Sequence, residues 1–100
     1  MYSQQEIIDK LTPIFKRYPI KRSALFGSYA RGDQTGESDI DVYLEIDDSA
    51  DIVNVFYNFW DELEEKVDIK ADVLTPGSLT TAPKRFRERI LNELRYIYEI

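Results

Sequence analysis

Leu25-Phe26-Gly27-Ser28-Tyr29-Ala30-Arg31-Gly32 carries a short apolar run into a glycine turn. Four residues later, Glu37-Ser38-Asp39-Ile40-Asp41-Val42-Tyr43-Leu44-Glu45-Ile46 alternates in character. Over 39–46 the aliphatic residues Ile40, Val42, Leu44 and Ile46 share one face of a strand, while Asp39, Asp41, Tyr43 and Glu45 share the other. Asp39 and Asp41 therefore leave the same face, with Cα atoms roughly 6.5–7 Å apart. Carboxylates held that close repel, and no Lys or Arg stands between them in sequence. A divalent cation would relieve the repulsion; an ordinary solvent-facing Asp-x-Asp is the plain alternative. Gly27 ends the preceding strand, where a glycine lets backbone amides approach a phosphate and a Ser28 hydroxyl can add a hydrogen bond. Gly27 and Gly32 have the spacing of P-loop glycines, but Asp33 stands where that motif requires lysine, which argues against a Walker-type NTPase.

Working outward, Ser3 and Glu6 have capping-box spacing ahead of Ile7, Ile8, Leu11, Ile14, Phe15 and Tyr18. A helix over about 4–17 follows, with a kink or early end possible at Pro13. Residues 20–26 read as a strand ending at Gly27, and a short helix follows. Ile52, Phe56, Phe59, Trp60 and Leu63 give a helix over about 50–66, its aromatic stripe facing core or a partner. Residues 67–74 alternate as a third strand, closed by the turn Thr75-Pro76-Gly77-Ser78. A last helix is expected from a Thr81 cap, with Pro83 in its first turn and Phe86, Ile90, Leu94 and Ile97 on its buried face. Lys84, Arg85, Arg87 and Arg89 cluster at its start, unfavourably for the helix dipole; a solvated basic face is the favoured account. The expected fold is mixed α+β: a small mixed sheet of about three or more strands flanked by helices, with residues 1–100 forming one domain.

Composition narrows the chemistry. The chain has no His and no Cys, which removes Ser-His-Asp and Cys-His catalysis and the usual zinc sites. Carboxylates, hydroxyls, Lys and Arg remain, and oxygen donors suit a hard cation such as magnesium. The net charge of −6 is uneven. Residues 1–32 hold six basic and two acidic groups, 33–72 two and fourteen, and 76–100 five and three. An acidic middle argues against direct nucleic-acid binding. No apolar run approaches the ~20 residues of a membrane span. Met1 to Gln5 do not read as a signal peptide, so a cytoplasmic location is expected.

Residues 25–32 with 37–42 resemble the minimal nucleotidyltransferase (MNT) family of the DNA polymerase β-like superfamily, whose signature is Gly-Ser, ten residues, then Asp-x-Asp. Residues 29–38 supply the ten. The family's third acidic residue lies in an apolar-Asp-apolar-apolar-Thr-Pro context, which Ala71-Asp72-Val73-Leu74-Thr75-Pro76 matches, although Ala71 is smaller than usual there. Asp72 is thus the expected third carboxylate, and Asp68, on the same expected strand face, the runner-up. The resemblance implies that Asp39, Asp41 and Asp72 are catalytic and bind magnesium, two ions in all. It also implies that Gly27 and Ser28 cradle the phosphates of ATP. Arg31 either assists there or forms a structural salt bridge. It further implies transfer of AMP to a hydroxyl, foremost a tyrosine of a HEPN-domain toxin, which would make the chain an antitoxin. A catalytically silent antitoxin-like binding module and an antibiotic-type small-molecule nucleotidyltransferase are the alternatives, and a homo-oligomer is a further possible partner state.

Overall fold

The computed structural model describes residues 1–100. Helix α1 (Gln4–Lys16) begins with the expected reciprocal cap between Ser3 and Glu6 and buries Ile7, Leu11, Ile14 and Phe15. It runs through Pro13 without ending there. Strand β1 (Ile20–Phe26) leads into the one-and-a-half turns of α2 (Gly27–Arg31), which Gly32 closes in the left-handed conformation at φ 84°. Strand β2 (Ile40–Ile46) follows, with Asp39 one residue ahead of it. Helix α3 (Ile52–Val67) is capped by the Asp51 side chain and buries Val55, Phe59, Leu63 and Val67. Strand β3 (Ala71–Leu74), the short α4 (Pro76–Thr80), α5 (Lys84–Glu93) and strand β4 (Arg95–Glu99) complete the chain.

The sheet is four-stranded and mixed, in the order β3-β2-β1-β4. β1 is antiparallel to both β2 and β4, whereas β2 and β3 are parallel. One face is covered by α1 and α3: Leu25, Val42, Leu44 and Val73 meet Leu11, Phe15, Phe59 and Leu63 in the main core. Phe15 and Phe59 stack there with ring centroids 5.6 Å apart, and each buried aromatic stabilises the fold by about 2–3 kcal/mol. The opposite face is covered more thinly. Ala24, Phe26 and Tyr43 meet Leu79 of α4 and Ile90 of α5, with the partly buried Leu74 and Leu94 at the margin. That thin cover leaves the end of the sheet open where the aspartates emerge.

Several sequence expectations are corrected. Residues 75–78 are not a turn: Thr75 caps α4, with its hydroxyl and that of Ser78 satisfying each other's backbone amides. The last helix starts after Pro83 rather than from a Thr81 cap, and it stops at Glu93. Residues 95–99 form β4, because β1 has a second edge to pair and Arg95-Tyr96-Ile97-Tyr98-Glu99 suits a strand. Ile97 therefore meets the core from the sheet, and Leu94 stands at the junction. The third strand begins at Ala71 rather than residue 67, because α3 continues to Val67, whose side chain is buried. Lastly, Ile52 is 45% exposed, and Val55 and Val67 take the core positions on α3.

Candidate active site

The sheet register brings the expected residues to one end of the sheet. Phe26, the last residue of β1, pairs with Asp41 near the start of β2. Across the parallel edge, Asp41 pairs with Asp72 near the start of β3. Neighbouring strands lie about 4.8 Å apart, so these two carboxylates leave adjacent positions on one face. Asp39 lies two residues back on the same side. Gly27 and Ser28 follow β1 directly. All five residues, Gly27, Ser28, Asp39, Asp41 and Asp72, line one cavity of about 560 Å³ together with Arg31, a volume in the usual range for small-molecule sites.

Asp68 does not reach this cavity. It is the residue after α3, in the left-handed conformation at φ 55°, and it lines a separate concavity with Met1, Tyr2 and Ile69. An aspartate accepts that backbone geometry more readily than most side chains. The expectation that it shares a strand face with Asp72 is corrected, since a helix C-cap occupies its position.

Gly27 has φ +70°, and a β-carbon there would fall within the van der Waals envelope of the Asp41 carboxylate. The strand-to-helix turn and the aspartate are thus packed against each other, backbone to carboxylate, with no room for a side chain between them. Burial pushes the Asp41 carboxyl up to about 6, and the negative charges of Asp72, Asp39 and Glu93 add to the effect, with Arg31 opposing it. The ionised form of Asp41 is therefore short of compensating positive charge. The donors are all oxygen and predominantly carboxylate, which fits a hard divalent cation. As the side chains stand, no three carboxylates close into a ligand cage.

Arg31 forms two ion pairs, Nε with Asp33 Oδ2 at 3.1 Å and Nη1 with Glu93 Oε1 at 3.0 Å. The salt-bridge reading of Arg31 is observed, and the residue also lines the cavity. Sequence reasoning missed Glu93. Its other oxygen, Oε2, accepts the Gly27 N–H at 3.1 Å. It also missed Trp60, Leu74, Phe86 and Ile90, which give the cavity an apolar wall, and Arg89, which lies over the Phe86 ring at 5.4 Å. Arg89 was visible only as one member of a basic cluster. No local signal marks Glu93, because its role depends on how α5 folds back over the end of β1.

The polymerase beta nucleotidyltransferase family model matches residues 9–100. A protein of Methanocaldococcus jannaschii named a "putative protein adenylyltransferase" is 41% identical over 91 residues, covering 88% of this chain and 90% of that relative. Among solved structures, a toxin–antitoxin with AMP-PNP superposes with a TM-score of 0.71 at 20% identity, covering 93% of this chain and 73% of that one. A tri-AMPylated Shewanella oneidensis HEPN toxin in complex with MNT antitoxin gives a TM-score of 0.67 at 17% identity, covering 97% and 73%. At these identities the structural likeness is one of fold.

Proposed function

The chain belongs to the polymerase beta nucleotidyltransferase family, and we propose that it transfers AMP from ATP to a hydroxyl of a protein acceptor at the cavity between Gly27-Ser28 and the three aspartates. The observation that carries this reading is the register that sets Asp41 beside Asp72 on the face Asp39 shares, with the Gly27-Ser28 turn against them. The relative named as a protein adenylyltransferase supports a protein as acceptor. The toxin–antitoxin structures of like fold support a HEPN toxin as the partner and the antitoxin as the role. The acceptor group in this reading is a tyrosine hydroxyl.

Each residue has a physical task. The Gly27 amide and Ser28 hydroxyl donate to the β- and γ-phosphate oxygens, and Arg31 offsets their charge. Asp39, Asp41 and Asp72 are the residues that would hold magnesium, which supplies charge neutralisation on the triphosphate and the leaving group. Asp72, exposed at the cavity mouth, orients the acceptor hydroxyl and takes its proton. The hydroxyl oxygen forms a bond to the α-phosphorus while the bond from that phosphorus to the α,β-bridging oxygen breaks. Pyrophosphate leaves and the acceptor retains the adenylyl group. The apolar wall of Trp60, Leu74 and Phe86 shields the reacting phosphorus from water and offers flat surface to a base or an acceptor ring.

The test is direct. Wild type and an Asp39→Asn/Asp41→Asn variant are incubated with α-labelled ATP, magnesium and a HEPN partner. Label moves to the partner with wild type only, and Tyr→Phe substitution in the partner locates it. Partner neutralisation by the variant with no label moved by either protein would refute transfer as the function.

A further inference from the structure

Glu93 stands at a place where a carboxylate is electrostatically ill-suited. It is the last residue of α5, where the helix dipole disfavours negative charge and no basic residue stands in the last turn. It faces the cavity that already holds Asp39, Asp41 and Asp72, and its charge adds to the upward push on the Asp41 carboxyl. What holds it there is a pair of donors: the Gly27 N–H at 3.1 Å and the Arg31 guanidinium at 3.0 Å. The Glu93 side chain is 20% exposed and its bond to the Gly27 amide is partly buried, while the Arg31 guanidinium holds the other oxygen from the solvent side. A carboxylate with one oxygen on a backbone amide and the other on an arginine presents the same acceptors as two oxygens of a phosphate.

We propose that Glu93 sets the nucleotide affinity of the site by occupying, in the free protein, the Gly27 and Arg31 donors that a triphosphate takes over. The inference rests on the reading of this cavity as the nucleotide site. Binding then exchanges one anion for another on the same donors. The incoming phosphates gain little from Gly27 and Arg31 beyond what Glu93 gives up, and the displaced carboxylate turns towards solvent past the exposed Arg89. Free protein would thereby keep Arg31 oriented and the Gly27 amide satisfied, at the expense of tight binding. Removing the charge of Glu93 while keeping its shape should leave the donors available and bind nucleotide more tightly.

Calorimetric titration of AMP-PNP with magnesium into the full chain tests this. Glu93→Gln should bind about three- to fivefold more tightly than wild type, the scale of one partly screened ion pair. Glu88→Gln, on the same helix and with the same change in net charge, should stay within about twofold. In an Arg31→Ala background the gain from Glu93→Gln should shrink, because the contested donor is gone. Glu93→Asp, which retains the charge but cannot span both donors, should tighten binding by an intermediate factor and serves if Glu93→Gln does not fold. Glu93→Gln or Glu93→Asp binding no more tightly than wild type, while wild type transfers label, would overturn the proposal and leave the proposed function standing. If neither wild type nor the Glu93 variants bind AMP-PNP, the nucleotide-site reading fails and this inference falls with it.

Discussion

A β-carbon at Gly27 would meet two obstacles: a backbone at φ +70° that L-residues adopt at a cost of roughly 1–2 kcal/mol, and the Asp41 carboxylate in the space it would fill. Gly27→Ala should therefore destabilise the chain by about that amount and, by displacing Asp41, lower transfer at least about a hundredfold, read by denaturant melts and the label assay. Asp41 makes a prediction of its own. Its folded pKa of about 6 lies above the ordinary 3.8, so the folded state binds the extra proton between those values. The contribution is complete below about 3.8 and is lost as pH rises through about 6. In the absence of divalent cations, Asp41→Asn should match wild type near pH 4. It should become more stable than wild type by about 1 kcal/mol above pH 7, after allowing for solvent screening of the part-exposed carboxyl. Urea melts of both proteins across that range measure the difference, and a flat difference would show that Asp41 titrates normally. Ser28, Asp39 and Asp41 were legible because a strand's two-residue period and a fixed spacing from the turn are local properties. Glu93 was not, because its partners lie more than sixty residues away.

Among the elements, α5 is the one whose packing matters most to the site, and its anchoring is slight. Ile90 is its one buried side chain, resting with Leu79 on Ala24, Phe26 and Tyr43. Ile90→Ala should cost about 2–3 kcal/mol by cavity formation. It should also lower transfer more than a core truncation of equal cost on the α1 and α3 face, since α5 carries Arg89 and Glu93 into the cavity. Paired melts and activities of Ile90→Ala and Ile14→Ala decide this; equal activity losses at equal destabilisation would show that α5 has no special role. The helices α1 and α3 were readable from their apolar period and caps. The change from helix to strand after Glu93 was not, because Ile90, Leu94 and Ile97 also fit a helical stripe. Only pairing of Arg95 with Leu25 and Tyr96 with Ala24 makes 95–99 a strand.

Taken as a whole, the molecule concentrates fourteen of its nineteen acidic residues in positions 33–72, and the sheet brings three of them to one cavity. A chain of this size has modest stability in reserve. Binding of a cation to the folded state alone should therefore be visible in its melting. Magnesium at about a hundred times its Kd would contribute about 2.7 kcal/mol, a rise in Tm of the order of 10 °C for a domain this small. The Asp39→Asn/Asp41→Asn variant should show no such rise by differential scanning fluorimetry. An equal rise in both proteins would place the bound magnesium elsewhere. No helix is long and apolar enough to cross a membrane.

By itself the sequence determined the helices α1 and α3, the strands β1 and β2, and the family to which the glycine-serine turn and the paired aspartates belong. Those features are written in short periods and fixed spacings, which act through neighbours along the chain. Tertiary structure decided the rest. It chose Asp72 over Asp68 for the cavity, because α3 extends to Val67 and leaves Asp68 in a helix cap. It made β4 from a segment that also suits a helix, because a free sheet edge was there to pair. And it set the Glu93 carboxylate on the Gly27 amide and Arg31, a contact made by bringing α5 back across the end of β1.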